Sequence, residues 1–151
     1  MQKHIPVKIE EAVFEQLLCV PCPMKGQERQ GIQIIDPEFS SVCPKTGLPD
    51  FGTIILKYIP DDRILELKSW KLYLRSFYGV GIFHEGVNRK IFVDLLNILE
   101  PKYLDLAINW GARGGLHTTT RMKWSFEGGY AEGEKIFEEK IFDENSRWIN
   151  R

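Results

Sequence analysis

Neither sign of charge is in excess: 20 Lys and Arg against 21 Asp and Glu leave a formal net charge of -1 over 151 residues. The overall balance therefore asks for no nucleic acid, anionic membrane surface or strongly charged substrate, and a partner has to be read from a site. Long apolar runs are missing too. The N-terminal stretch "LLCVPCP" is too short and too proline-broken for a signal-peptide core or a membrane span, and charges are scattered before it, so a cytoplasmic protein is expected. Cysteine is scarce. Three thiols, an odd number, argue against a disulfide scaffold and leave each available for reaction, metal or packing. There is no internal repeat or low-complexity tract, and neither a Rossmann glycine fingerprint nor a Walker motif, so a bound nucleotide would need a non-standard site.

What remains is a moderately apolar, aromatic-rich chain long enough to bury one core, and a single domain over 1–151 is expected. "GIQIIDPEF" and "FGTIILKYIP" read as strands flanking a loop that contains Cys43 and Asp50. Leu67, Trp70, Leu74 and Phe77 then recur at helical spacing, with Lys68, Lys71 and Arg75 beside that stripe. A second helix over about 84–99 carries Val87, Ile91, Leu95 and Ile98 on one face and stops at Pro101. "YLDLAINW" and "LHTTTRMKW" alternate as strands on either side of "GARGG", and 131–151 reads as a charged peripheral helix or tail. The order ββααββ predicts an α+β protein, an antiparallel sheet with two helices on one face.

Cys43 is a candidate nucleophile. A thiol attacks as thiolate and needs a cation or hydrogen-bond donors nearby to do so at neutral pH, which Lys45 and the loop amides could provide. Asp50 could then protonate an atom that becomes basic as sulfur adds to its neighbour, so an electrophile ending in nitrogen suits the pair. Taken alone, the two read more simply as a small buried residue and a turn former. Glu85, beside His84, is explained by the first turn of a helix, yet one carboxylate also accepts both adjacent donors of a guanine-like ring. Lys68, Lys71 and Arg75 are either a solvated face or a phosphate-binding one, and "GARGG" either a turn or an anion cradle.

Together these residues resemble one family. "ELKSWKLY" at 66–73 matches at every position the signature of the NADPH-dependent 7-cyano-7-deazaguanine reductases, the QueF-type nitrile reductases of queuosine biosynthesis. "CPKTGLPDFG", "FHE", "VN" and "ARGG" follow the family's order, so the resemblance covers about 31–124, flanked by an N-terminal extension and the charged tail. It implies that Cys43 adds to the nitrile carbon as a thioimide, that Asp50 protonates the nitrile nitrogen, and that His84 stands at the reacting end. Glu85, with Glu66 and Ser69, falls on the substrate side. Lys68, Lys71, Arg75, Arg113, Gly114 and Gly115 fall on the NADPH side. Two hydrides would carry the thioimide through an imine to the aminomethyl product, with no metal, nucleic acid or membrane required. The resemblance also implies the tunnelling fold shared with GTP cyclohydrolase I, a homo-oligomeric ring with active sites between subunits, in its single-module branch.

Leu48 departs from the glutamine common in that family, and Cys19 and Cys22 in "CVPC" have no place in its pattern. Packing accounts for that pair better than a lone CxxC metal or redox motif. Competing functions are a zinc cyclohydrolase, for which no compact ligand set is found around Cys43, an amidine-forming relative acting on modified transfer RNA, and a ring-forming module that only holds a purine.

Overall fold

The computed structural model describes residues 6–24, 30–137, 140–142 and 148–150. In chain order the strands and helices are β1 (Val7–Lys8), β2 (Cys19–Pro21), β3 (Ile32–Val42), β4 (Pro49–Ile59), β5 (Arg63–Leu65), α1 (Leu67–Arg75), β6 (Val80–Gly81), α2 (His84–Leu99), β7 (Tyr103–Trp110), β8 (Thr119–Ser125) and β9 (Gly129–Tyr130). After a 3-10 turn at Gly133–Ile136 come β10 (Lys140–Phe142) and β11 (Trp148–Asn150), an antiparallel pair, where a charged helix or tail was expected. Residues 138–139, 143–147 and 151 of that stretch lie outside the described residues.

Seven strands form one sheet in the order β1-β6-β3-β4-β7-β8-β9. Its body is antiparallel, as the alternating patterns predict, but β6 runs parallel to both β1 and β3. Two-residue strands such as β1 and β6 are too short for alternation to show, which is why the sequence does not reveal them. β2 and β5 pair separately.

One face of the sheet is dry. Ile54, Leu56 and Tyr58 on β4 align with Ile108, Leu106 and Leu104 on β7, and both helices close over them. From α1 come Trp70, Tyr73 and Leu74, with Phe77 just beyond; from α2 come Val87, Ile91, Phe92, Leu95 and Leu99. Each fully buried Leu, Ile or Phe contributes roughly 1.5 to 3 kcal/mol, so this layer supplies most of the driving force. Leu67, expected in the stripe, is 61% exposed: as the first residue of α1 it overhangs the core edge. Among the described residues the opposite face of the sheet has no helix, and it carries Ile35 and Phe51 in the open. No helix among the described residues is long and apolar enough to cross a membrane.

The ends of α2 bear on the site. The helix begins at His84, and at its other end Glu100 adopts a left-handed conformation (φ 45°) before Pro101, which cannot continue a helix. β3 bulges between Asp36 and Phe39, where Pro37 offers no N–H and the Asp36 carboxylate accepts from Glu38 N at 2.9 Å.

Candidate active site

β3 and β4 are joined by a tight turn at 43–48, shorter than the loop expected from sequence. Cys43 N donates to Leu48 O and Gly47 N to Cys43 O, both at 2.9 Å, and Gly47 takes the positive φ of 70° that closes the turn. Cys43 is 8% exposed. Its thiol is brought down from 9.0 to about 7, first by the Thr46 hydroxyl, then by the Thr46 and Lys45 amides and the Arg113 guanidinium, against the opposing effect of burial. About half of it is therefore thiolate at neutral pH.

Asp50 is in strand, not loop. As the second residue of β4 it pairs with Ser41 and turns its carboxylate to the helix side, 7% exposed. Two groups from distant parts of the chain meet it. Arg113 Nη1 lies 3.1 Å from Asp50 Oδ1, and His84 Nε2 lies 3.3 Å from Oδ2. Arg113 also donates through Nη2 to Thr46 Oγ1 at 3.3 Å, so one guanidinium ties the thiol's turn to the carboxylate. Its place is set by a two-residue turn. Arg113 and Leu116 exchange backbone hydrogen bonds of 3.0 and 2.9 Å around Gly114 and Gly115, both at positive φ. Those glycines are explained by the hairpin geometry.

Glu85 is exposed in the first turn of α2 and lines a cleft of about 810 Å³ with Pro44, Ile82, Phe83 and Arg89. Pro44, which follows Cys43 in the chain, brings that cleft to the end of the Cys43 turn. Cys43, Asp50, His84 and Arg113 thus come together, with Glu85 on the adjoining cleft.

The α1 residues serve other partners. The half-buried Glu66 caps the helix, its two oxygens accepting from Lys68 N (2.9 Å) and Ser69 N (2.7 Å), and these bonds lower its pKa. Ser69 is buried; its hydroxyl donates to Glu66 O at 2.9 Å and accepts from Leu18 N at 3.0 Å. Lys71 Nζ reaches Asp36 Oδ2 at the β3 bulge, 3.2 Å away. Lys68 and Arg75 are exposed. Cys19 and Cys22 are free thiols at the β2 edge, Cys19 directed at Ile98 O (3.7 Å) and its pKa raised by burial. Among the described residues no group of His, Cys, Asp and Glu could hold a metal ion.

Sequence reasoning missed Thr46 and Trp110. Thr46 was legible as the polar residue of "CPKTG", whereas Trp110 reads only as one more inward position of β7.

The family model for QueF-like protein matches residues 49–127. The chain is 51% identical over 96 residues to the NADPH-dependent 7-cyano-7-deazaguanine reductase of Chloroherpeton thalassium, covering 64% of this chain and 83% of that protein. It is 48% identical over 94 residues to the enzyme of the same name from Pelodictyon phaeoclathratiforme, covering 62% and 81%. Among solved structures it resembles the apo form of the archaeosine synthase QueF-Like, with a TM-score of 0.56 and 19% identity over 66% of this chain and 95% of that one, a likeness of fold. A family match that spans the buried carboxylate, the α2 start and the arginine turn, with relatives about half identical over 94 to 96 residues, places this chain in the QueF-like family.

Proposed function

We propose that the chain reduces the nitrile of 7-cyano-7-deazaguanine to an aminomethyl group with NADPH, through a covalent thioimide on Cys43. The observation that carries this reading is the convergence on one point of a thiol at about 7 and a buried carboxylate flanked by an imidazole and a guanidinium. Cys43 thiolate adds to the nitrile carbon: a C–S bond forms, one π bond of the C≡N opens, and the nitrogen takes a proton from Asp50. His84 Nε2, 3.3 Å away, resupplies Asp50. Two molecules of NADPH, bound one after the other, would each supply one hydride. Reduction at the thioimide carbon breaks the C–S bond, returns Cys43 as thiolate and leaves an imine; the second reduction gives the amine, whose nitrogen takes one more proton by the same route. Glu85, on the cleft beside Pro44, accepts the ring N1–H and exocyclic amine together.

The residues present fit a dinucleotide's phosphates. Lys68 and Arg75 expose cations on one helix, Lys71 shares its ammonium with Asp36, and Arg113 shares its guanidinium with Asp50 and Thr46. Glu66 and Ser69 cap α1, and on the resemblance they would lie on the substrate side, where the Glu66 oxygens keep acceptor sites beyond the two cap bonds.

The chain works as one domain and one subunit of a cytoplasmic ring. Support comes from the helix-free sheet face with Ile35 and Phe51, and from Leu48 and Leu116, 54% and 74% exposed on the turns around the site. Amidine formation on transfer RNA would use the same thioimide without a hydride. The intact 66–73 run and 51% identity to reductases, against 19% to the synthase, favour reduction. A module that only held a purine would have no use for an activated thiol.

Intact mass spectrometry tests the reading. Mixing with 7-cyano-7-deazaguanine in the absence of NADPH is expected to raise the mass by the whole nitrile, because addition expels nothing. Cys43→Ala is expected to show no adduct and no nitrile-dependent NADPH oxidation. Turnover by that variant would remove Cys43 from the chemistry.

A further inference from the structure

His84 lies flat on Trp110, ring centroids 4.0 Å apart and planes 7° from parallel. Its Nε2 faces Asp50 at 3.3 Å but finds no aligned hydrogen bond among the described residues. The direction of the imidazole therefore comes from its place at the start of α2 and from the ring beneath it. Proton transfer requires heavy atoms about 2.6 to 3.2 Å apart, so a small displacement of this ring decides whether Asp50 is reached.

The indole is held on three sides. Its Nε1 donates to Thr120 Oγ1 at 3.2 Å, and the same oxygen accepts from Asn88 Nδ2 at 3.0 Å. Asn88 stands four residues beyond His84 on α2, so the helix that carries the imidazole is tied to the strand that fixes the indole. Phe39 meets the indole edge-on, at 5.9 Å and 73°. Across the sheet Trp110 pairs with Gly52, where an added Cβ would come within 3.2 Å of Trp110 Cε3. The absent side chain of Gly52 is the room in which the indole lies, two residues from Asp50.

We infer that Trp110, locked by Thr120 and Asn88, is a positioning residue for the reduction: its face aims His84 Nε2 at Asp50 and so governs delivery of the proton to the nitrile nitrogen. This rests on the reductase reading above.

A kinetic cycle tests it. Trp110→Leu, Trp110→Phe and Thr120→Val are each measured with His84 intact and in a His84→Ala background. With His84 present, Trp110→Leu is expected to lower kcat about tenfold to a hundredfold while KM for nitrile and for NADPH stays within about twofold. Trp110→Phe, which keeps a flat ring, is expected to retain most of kcat, and Thr120→Val to fall between. Without His84 none of the three should lower kcat further. Equal losses in the two backgrounds would overturn the inference. Should Trp110→Leu not fold, Thr120→Val makes the same comparison with the indole in place.

Proton NMR supplies a second arm that needs no turnover. The His84 ring protons, assigned by their loss in His84→Ala, should be displaced upfield by the indole and return toward ordinary values in Trp110→Leu. Undisplaced protons in the parent protein would overturn the stack itself. If the parent protein failed to oxidise NADPH with the nitrile, the reductase reading would fall, and the NMR arm would still decide whether Trp110 orients His84.

Discussion

Replacing Thr46 by Val removes the largest single contributor to the activation of Cys43, along with the bonds that Thr46 Oγ1 accepts from Leu48 N and Arg113 Nη2, both at 3.3 Å. Thr46 Oγ1 is the first cause of the thiol's descent from 9.0 to about 7; the amides of Thr46 and Lys45 and the Arg113 guanidinium remain after the change. A hydrogen bond to a charged group contributes about 1.5 kcal/mol at the low end, and 1.36 kcal/mol corresponds to one pH unit, so the midpoint should rise by about one unit. At pH 7 the thiolate fraction then falls from about a half to about a tenth, and the alkylation rate about fivefold. The assay is iodoacetamide modification of Cys43 against pH, read by peptide mass spectrometry. Cys19, whose thiol is pushed up by burial, serves as the slow internal comparator. Thr46→Ser, which keeps the hydroxyl, should restore the parent midpoint. If Thr46→Val left the midpoint unchanged, the hydroxyl would not be what stabilises the thiolate, and the backbone amides and Arg113 would have to carry the whole effect.

The same lowered thiol has a thermodynamic sign. A folded value of about 7 below an unfolded 9.0 adds stability that is fully present above pH 9 and lost as pH falls through 7. In chemical denaturation the parent protein should therefore gain on Cys43→Ala between pH 7 and pH 9. On α1, Lys68→Ala at an exposed position should change stability by less than about 0.5 kcal/mol yet raise KM for NADPH about tenfold to a hundredfold, as loss of a charge-assisted phosphate contact does. Lys71→Ala should in addition lower Tm, because it strips the nearly buried Asp36 of its cation. An unchanged KM in both would make the stripe a solvated face. Glu85→Ala is expected to raise KM for the nitrile with kcat little altered; steady-state kinetics at saturating NADPH distinguishes this from a loss of chemistry. Leu106→Ala, at a fully buried position between helix and sheet, should cost about 2 to 5 kcal/mol in urea unfolding.

Much of this protein is legible in its sequence. The two helices and four long strands announce themselves because each is long enough for its apolar period to repeat, as Ile54, Leu56 and Tyr58 do on β4 or Val87, Ile91 and Leu95 on α2. The run 66–73 and the order of Cys43, Asp50, His84 and Glu85 carried the family resemblance, because a motif of residue types in fixed chain order is visible without the fold. Elements held by pairing alone were invisible. β6 has two residues and β10 and β11 three each, too few for a pattern, and they exist only because neighbouring strands offer open hydrogen-bonding edges. The site's electrostatics were equally hidden, because contact across the sheet has no signature in local spacing. Arg113 was read on the cofactor side, and local spacing gave no sign that its guanidinium also bonds Asp50 and Thr46, 63 and 67 residues away. Lys71 looked like part of a free stripe and proves to be paired with a nearly buried carboxylate at the β3 bulge. Local periodicity and residue type determined the layers and the reacting groups. Which polar atoms meet, and therefore which thiol is activated and which imidazole is aimed, was decided only when distant strands came into register.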